Sequence, residues 1–213
     1  MPVALVNGDK LVTLLIKHRV GVRVENVELR AVDADYFENV EANKDKGDGA
    51  GKNRTIWPLP GGTTSYVDTL FKFLRAVDRG KNTKNKLIAW FRDNFDTVKS
   101  ENTASGYINV PRSMRLIEMT DGKLYLTPAG KQVLAKRDLG FLYDTIAANV
   151  LGIDEIIEFL ETSGEPQTEE SVLEFLKQNL DVEWSSFAQV SFRLYWLMNL
   201  EKIKKTEDGW ILA

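Results

Sequence analysis

Residues 102–112 combine hydrogen-bonding side chains with a glycine at helical spacing. If this segment is a helix, its outward face holds Asn102, Ser105, Gly106, Asn109 and Arg112. Asparagine pairs bidentately with adenine and arginine with guanine, while a glycine lets a partner approach the helix closely. These types and spacings therefore suit the reading of base edges in DNA. A merely solvated helix face would also be polar, and that simpler interpretation stays open.

The rest of the sequence lacks the residues of most catalytic and metal sites. The 213 residues include no cysteine and a single histidine, His18, which excludes thiolate nucleophiles, His/Cys zinc sites and Ser-His-Asp triads. Glu28, Asp33 and Asp35 lie near predicted strands, but no Asp/Glu-x-Lys follows them on a strand, as a metal-dependent nuclease needs. DKGDGAGK (45–52) lacks the spacing of a phosphate-binding loop. We therefore expect no enzymatic activity and no cofactor or metal from this chain alone.

Charge is divided unevenly along the chain. The formal net charge is −3, but residues 1–140 hold 23 basic and 17 acidic residues, whereas residues 141–213 hold 5 basic and 14 acidic residues. A basic first part suits phosphate contacts, and an acidic second part suits a protein partner or the repulsion of non-specific DNA. Two solvated surfaces with different charges would give the same counts.

An internal repeat is visible from residue 65 onward. Three blocks recur in the same order: LIAWFRDNFD (87–96) and VLEFLKQNLD (172–181) at an offset of 85, MRLIEM (114–119) and MNLEKI (198–203) at 84, and Asp-Gly pairs (121–122 and 208–209) at 87. Three ordered matches at a nearly constant offset predict that one structural unit occurs twice.

Each copy is predicted to hold three helices and then a two-stranded hairpin. Apolar residues at helical spacing place the helices at about 67–77, 87–95 and 103–116 in the first copy and at about 141–161, 169–180 and 186–200 in the second. Ser186 and Gln189 have the spacing of a capping box that would begin the last helix. Pro111 lacks a backbone N–H, so it should kink the third helix or shorten it to Asn109–Met119.

The stretch Ile117–Leu134 is predicted to form the first hairpin and the start of the next helix. Asp121-Gly122 would form its turn, Leu124 and Leu126 would anchor its second strand, and Thr127-Pro128 would cap and begin the helix. The chain ends on a near copy of this hairpin, Ile203–Ala213.

The first 62 residues are predicted to form a small α/β segment. A helix is expected over Asp9–His18, one or two strands over 20–32, and a mobile loop over 43–54. WPLPGG (57–62) interrupts regular structure, which places a domain boundary near residue 62. This segment could complete the first core, form a separate domain, or bring basic residues such as Lys52 and Arg54 close to phosphates.

These patterns resemble a known arrangement. LYLTPAGKQVL (124–134) is similar to the passage that closes the wing of many winged-helix proteins, and residues 57–213 together resemble the tandem winged-helix DNA-recognition regions of restriction endonucleases. The resemblance implies a mostly α fold with small β-hairpins (α+β), in which tandem winged helix-turn-helix units at 63–139 and 140–213 follow the segment 1–62. It further implies that double-stranded DNA is the partner, and a nuclease domain or subunit a further one.

The same resemblance implies which residues bind DNA, because the third helix of such a unit lies in the major groove. In the second copy an offset of 84 maps the polar face onto Ser186, Gln189 and Arg193. Phosphate contacts would come from basic residues around the first unit's helices and hairpin, namely Lys84, Lys86, Lys99, Arg115 and Lys123.

The leading hypothesis is a sequence-specific double-stranded DNA-binding module, the target-recognition part of a restriction endonuclease. One alternative is an acidic tandem winged-helix scaffold that binds proteins, and another is a transcriptional regulator. The sequence shows no signal peptide, and its longest apolar run, Leu11–Ile16, is too short to span a membrane, so we expect a cytoplasmic protein. We expect neither a membrane nor a small-molecule substrate as a partner.

Overall fold

In a computed structural model of the chain, the residues described are Leu15 and 51–213. Leu15 is helical, as predicted. The other residues of the predicted N-terminal helix, the strands over 20–32 and the loop residues 43–50 lie outside the described part. The chain divides into two compact units after Glu41, and residues 51–213 belong to the second.

Residues 51–213 are mostly helical, with two small antiparallel hairpins. The helices of this part are α1 Tyr66–Asp78, α2 Lys84–Asn94, α3 Glu101–Ser113, α4 Pro128–Lys136, α5 Leu139–Asn149, α6 Ile153–Ser163, α7 Glu169–Asn179 and α8 Ala188–Asn199. The strands are β1 Ile117–Thr120, β2 Lys123–Leu126, β3 Ile203–Lys205 and β4 Trp210–Leu212. The α+β fold class is confirmed at this level.

Capping residues and apolar faces set the helices of the first repeat, which we define as residues 66–126. The side chains of Thr83 and Ser100 accept N–H groups at the starts of α2 and α3, which satisfies donors that the helices leave unpaired. Helix α1 buries an apolar stripe that includes Leu70 and Leu74. Helix α3 continues through Pro111, which lies buried in its last turn, so the predicted shortening to 109–119 is wrong.

The hairpin of the first repeat carries a short third strand segment. Asp121 and Gly122 both have positive φ, 49° and 71°, as a two-residue hairpin turn requires, so this predicted turn is confirmed. Between α1 and α2, Thr83 pairs with Lys123, and the Leu124 N–H donates to the Asn82 carbonyl at 2.7 Å. The segment that joins α1 to α2 therefore lies beside β2.

The second repeat, residues 153–212, has the same order of elements. Helices α6, α7 and α8 precede the hairpin β3–β4, and Gln167, between α6 and α7, pairs with Trp210 of β4. Helices α2 and α7 have equal lengths and begin 85 residues apart, after Thr83 and Thr168. The sequence repeat thus corresponds to one topology that occurs twice.

Two helix predictions in the second repeat are wrong. The helix predicted over 141–161 is interrupted between α5 and α6, where Val150 is extended and Gly152 has φ 86°. Ser186 does not cap α8, because this helix begins after Phe187 and has no side-chain cap. The Gln189 side chain instead accepts the backbone N–H of Ile56 at 3.0 Å.

Helix α4 packs closely against the turn between α3 and β1. Thr127 caps α4, as predicted: its hydroxyl accepts the Gly130 N–H at 3.0 Å and donates to the Arg115 carbonyl at 2.8 Å. A Cβ at Gly130 would lie 2.0 Å from the Leu116 carbonyl oxygen, so only glycine fits there. The motif Thr-Pro-Ala-Gly therefore fixes α4 on the first repeat.

A single apolar core joins the two repeats. It extends from Ile56 to Trp210. Ile56 and Leu59, which precede the predicted boundary at residue 62, are buried in this same core. The residues before α1 therefore contribute to its packing.

Candidate nucleic-acid interface

The polar face predicted on the third helix of the first repeat is accessible. Asn102, Asn109 and Arg112 are exposed on α3, and Ser105 and Gly106 between them are half-buried. The Arg112 guanidinium donates to the Asn109 side-chain oxygen at 3.2 Å. The two side chains therefore lie next to each other, and both are able to contact one ligand.

Gly106 is not required by the packing of α3. A Cβ at this position would meet no atom within 4 Å, and its φ is not positive. A glycine inside a helix costs about 0.5–1 kcal/mol relative to alanine. The described part of the protein thus offers no packing reason for this glycine, while its absent side chain leaves the helix surface open to close approach.

Four predicted phosphate-binding lysines lie outside α3 in the first repeat. Lys84 and Lys86 are exposed on the first turn of α2, Lys99 precedes α3, and Lys123 begins β2. None of them forms an ion pair with a carboxylate of residues 51–213. Their charges are therefore accessible for an anionic partner.

The fifth predicted phosphate-binding residue, Arg115, has a different setting. It is half-buried directly after α3 and has φ 55°, and its carbonyl accepts the Thr127 hydroxyl. Its backbone thus belongs to the turn that directs the chain from α3 into β1.

The predicted reading face of the second repeat is misplaced by two residues. Met114 is the C-cap residue of α3 and Leu200 that of α8, and the following Arg115 and Glu201 share positive φ values of 55° and 58°. The offset at the third helix is therefore 86, not 84. Since each helical residue turns by about 100°, a slip of two residues rotates the predicted face by about 200°.

Arg193 shows the consequence of that slip, because it points into the core. Its side chain is 0% exposed, so the prediction that it faces outward is wrong. Its guanidinium donates to the carbonyls of Leu151 at 2.7 Å, Gln189 at 2.7 Å and Arg54 at 2.9 Å, and it lies 4.2 Å from the centre of the Trp184 ring. Burial lowers the pKa of Arg193 to about 9, and the charge of Glu155 acts in the opposite direction.

The other two residues predicted to read DNA in this repeat also have different settings. Ser186 is exposed, but it lies before α8. Gln189 is half-buried, and its side-chain oxygen accepts from the Arg193 guanidinium at 2.9 Å as well as from the Ile56 N–H. The second repeat thus lacks the predicted hydrogen-bonding face.

At the corrected offset of 86, the α8 residues that correspond to the α3 face are mostly apolar. Phe192 corresponds to Gly106 and stacks on Trp57 with ring centres 6.3 Å apart. Tyr195 corresponds to Asn109 and packs edge-on against Tyr66 of α1 at 6.5 Å. This face of α8 contacts the first repeat and the residues that precede it.

The segment over residues 53–66, which we call the strap, holds the two repeats together. Four hydrogen bonds join the strap to α8. The Ile56 N–H donates to the Gln189 side chain, and the Tyr66 N–H donates to the Asn199 side chain at 2.9 Å. The Trp57 carbonyl accepts from Trp196 Nε1 at 3.0 Å, and the Thr63 carbonyl accepts from the Asn199 side chain at 2.6 Å. Burial raises the pKa of the Tyr66 hydroxyl to about 12, as expected for a phenol removed from water.

Asn53 at the start of the strap connects the first repeat with α5. Its side-chain amide donates to the Ser113 carbonyl at the end of α3, 2.7 Å away, and to the Asn149 carbonyl at the end of α5, 3.2 Å away. The strap was not identified from the sequence, and its only signal was the apolar content of WPLP.

Lys52 and Arg54, considered as a basic arm for phosphates, contact the second repeat. Lys52 pairs with Asp154 at 3.6 Å and Arg54 with Asp181 at 3.5 Å. Their charges are therefore engaged by the acidic part of the chain.

The exposed surface of the second repeat is acidic. Its carboxylates include Glu158 on α6 and Glu170 and Glu174 on α7. The half-buried rings of Phe159 and Phe175 stack between these helices with centres 4.4 Å apart. An acidic surface repels a phosphate backbone, so the two repeats differ in the ligands that they suit.

Comparison with known proteins does not identify a relative. No protein-family model matches the chain, and neither the curated proteins nor the solved structures include a significant match. Among the helices of the described residues, none is both long enough and apolar enough to cross a bilayer.

Proposed function

We propose that the chain is a sequence-specific double-stranded DNA-binding module built on two winged helix-turn-helix units, of which the first contacts DNA. The order of three helices and a hairpin supports this proposal. So does the pairing of the segment before the second helix with the last strand, which occurs at Thr83 with Lys123 and at Gln167 with Trp210. Such a unit places its third helix in the major groove.

The observation that carries the proposal is the accessible face of α3, together with lysines of the first repeat that form no ion pair within residues 51–213. Asn109 and Arg112 offer the groups that pair with adenine and guanine, and Lys123 on the hairpin would contact a phosphate. Because the corresponding face of α8 is mostly apolar and packs against Trp57 and Tyr66, one unit would read the DNA and the site would be asymmetric.

Selection from a randomised duplex library at about 50 mM salt tests this proposal. We expect enrichment of one asymmetric sequence and an affinity that falls steeply with salt. The Lys123→Gln variant should weaken binding to all sequences similarly and make the salt dependence less steep. If no duplex is retained above background, the proposed function is wrong.

We further propose that this module serves a restriction endonuclease, with cleavage supplied by a nuclease domain or subunit. The proposal rests on the resemblance of residues 57–213 and on the asymmetric site that a single reading helix implies. A second selection with cytosine-modified duplexes tests it. A preference that depends on cytosine modification is expected of a restriction system, whereas a palindromic site bound by two chains would indicate a transcriptional regulator.

The acidic second repeat favours a second candidate function, a scaffold that binds proteins. Glu158 and Glu174 with the Phe159–Phe175 pair would form its contact surface. This candidate predicts that charge reversal at Glu158 and Glu174 abolishes the protein's activity in cells while DNA binding in vitro is unchanged.

A further inference from the structure

A basic cleft lies between α1 and α2, separate from the exposed face of α3. Its volume is about 220 Å³, and four cationic side chains line it: Lys72, Arg75, Arg79 and Lys81. No carboxylate lines the cleft, and none of the four side chains forms an ion pair with a carboxylate of residues 51–213. The cleft therefore concentrates positive charge that the described residues do not neutralise.

The cleft opens on the side of α2 away from α3. Trp90 and Asn94 of α2 contribute to it, whereas Ile88 and Arg92 line a separate hollow that includes Glu101 at the start of α3. Residues two positions apart lie about 200° apart around a helix. A ligand in the cleft would thus not contact the face that carries Asn109.

The helix dipoles account for only part of this charge. Arg75 and Arg79 lie near the end of α1, and the cleft also borders the end of α2, where cations are favourable. Each helix end carries about half a negative unit charge, so two ends amount to about one. Four cations exceed that requirement.

The chemistry of the lining selects phosphate over an aromatic base. Trp90 is 8% exposed and packs edge-on against Phe73 and Phe91 with centres 5.9 and 5.0 Å apart, so its ring offers no free face for stacking. Arginine presents paired N–H donors that match the oxygens of a phosphate.

We infer that the cleft binds phosphate groups, carried either by a free polyphosphorylated ligand or by a nucleic-acid backbone. A nucleic-acid backbone that contacts the hairpin would be within reach of the cleft, because Lys81 precedes Asn82, whose carbonyl accepts the N–H of Leu124 in the hairpin. The inference goes beyond the proposed function, because it concerns another surface and its first test needs no DNA.

Titration calorimetry with tripolyphosphate tests the cleft in the full chain. The double variant Arg75→Gln/Arg79→Gln removes two of its cations, and Lys131→Gln/Lys136→Gln removes the same charge from exposed positions of α4 outside the cleft. We expect the wild type and the α4 variant to bind tripolyphosphate with similar affinity. The cleft variant should bind it at least about tenfold more weakly. Equal weakening by both variants, or no binding by wild type, overturns the inference.

Amide NMR spectra of the wild-type protein provide a test that does not depend on how the variants fold. Tripolyphosphate should shift the signals of residues 72–81 and 90–94 more than those of α4, and shifts spread evenly over basic surfaces contradict the inference. Addition of a DNA duplex that the protein binds distinguishes the two sources of phosphate. Displacement of tripolyphosphate indicates a nucleic-acid backbone, and simultaneous binding indicates a free ligand.

Discussion

Helices α3 and α8 occupy the same place in two copies of one topology, yet their surfaces differ in almost every respect. Helix α3 exposes Asn109 and Arg112. At the corresponding positions α8 has Tyr195 and Met198, which are partly buried and pack against the apolar core. Trp57 and Tyr66 of the strap pack against α8, whereas Asn109 and Arg112 of α3 are exposed. The difference teaches that a repeated fold does not imply a repeated site, because packing between copies decides which surface is available.

Removal of the Arg193 side chain should have the largest effect, because it breaks buried hydrogen bonds between α8 and two distant carbonyls. The Arg193→Met variant keeps apolar volume but leaves the carbonyls of Leu151 and Arg54 without their donor. We expect the free energy of unfolding to fall by about 3 kcal/mol. Urea denaturation measures this. The matched Arg112→Met variant on exposed α3 should change stability by less than about 0.5 kcal/mol, and a similar loss in both variants would contradict the comparison.

Substitution of Arg112 should weaken DNA binding but change the free energy of unfolding little. Arg112→Ala removes the side chain proposed to contact a base while it leaves the core intact. We expect binding to the selected duplex to weaken by about 10- to 100-fold and discrimination at one base pair to be lost. Fluorescence anisotropy with the selected and single-mismatch duplexes measures both quantities. Uniform weakening across all sequences would instead assign Arg112 to phosphate contact.

Truncation of Phe192 tests whether the contact between α8 and the strap stabilises the protein. Its ring stacks on Trp57, so Phe192→Ala should lower the free energy of unfolding by about 1–2 kcal/mol. Phe187, which is 46% exposed just before α8, provides the control, and its replacement by alanine should change stability little. Equal effects of the two substitutions would show that the stacking contributes nothing specific.

The smallest effect concerns Gly106, the counterpart of Phe192 on α3. Gly106→Ala should raise the free energy of unfolding by about 0.5–1 kcal/mol, because the helix gains propensity and the new methyl group meets no protein atom. If DNA approaches α3 closely, the same variant should bind the selected duplex more weakly. Melting temperature and anisotropy measure the two changes. Unchanged affinity would exclude close approach at this residue.

Much of the architecture could be predicted because its causes are local. The apolar stripe of α1, the Asp121-Gly122 turn and the cap at Thr127 each involve residues close together in sequence. The correspondence between α2 and α7 could also be predicted from the sequence, because the two helices carry matching apolar positions.

The missed features depend on contacts that are distant in sequence or on a small error of register. Ile56 and Gln189 are separated by 133 positions, so no local pattern could link the strap to α8. MRLIEM and MNLEKI matched by letter at 84, although the turns at Arg115 and Glu201 correspond at 86. On a helix a slip of two residues exchanges the buried and the exposed faces. The offset of 84 therefore wrongly predicts that Arg193 lies on the surface.

The hydrogen bonds of Asn53 limit how the exposed face of α3 could be transferred to another protein. The end of α3 is tied through Ser113 to Asn53, and Asn53 is tied to the end of α5. A chimera that exchanged only residues 66–126 would replace Ser113, which Asn53 contacts, and Tyr66, which packs against Tyr195 of α8. An exchange of the DNA specificity proposed for α3 would therefore need to carry the strap and the second repeat along, or be confined to the exposed side chains of α3.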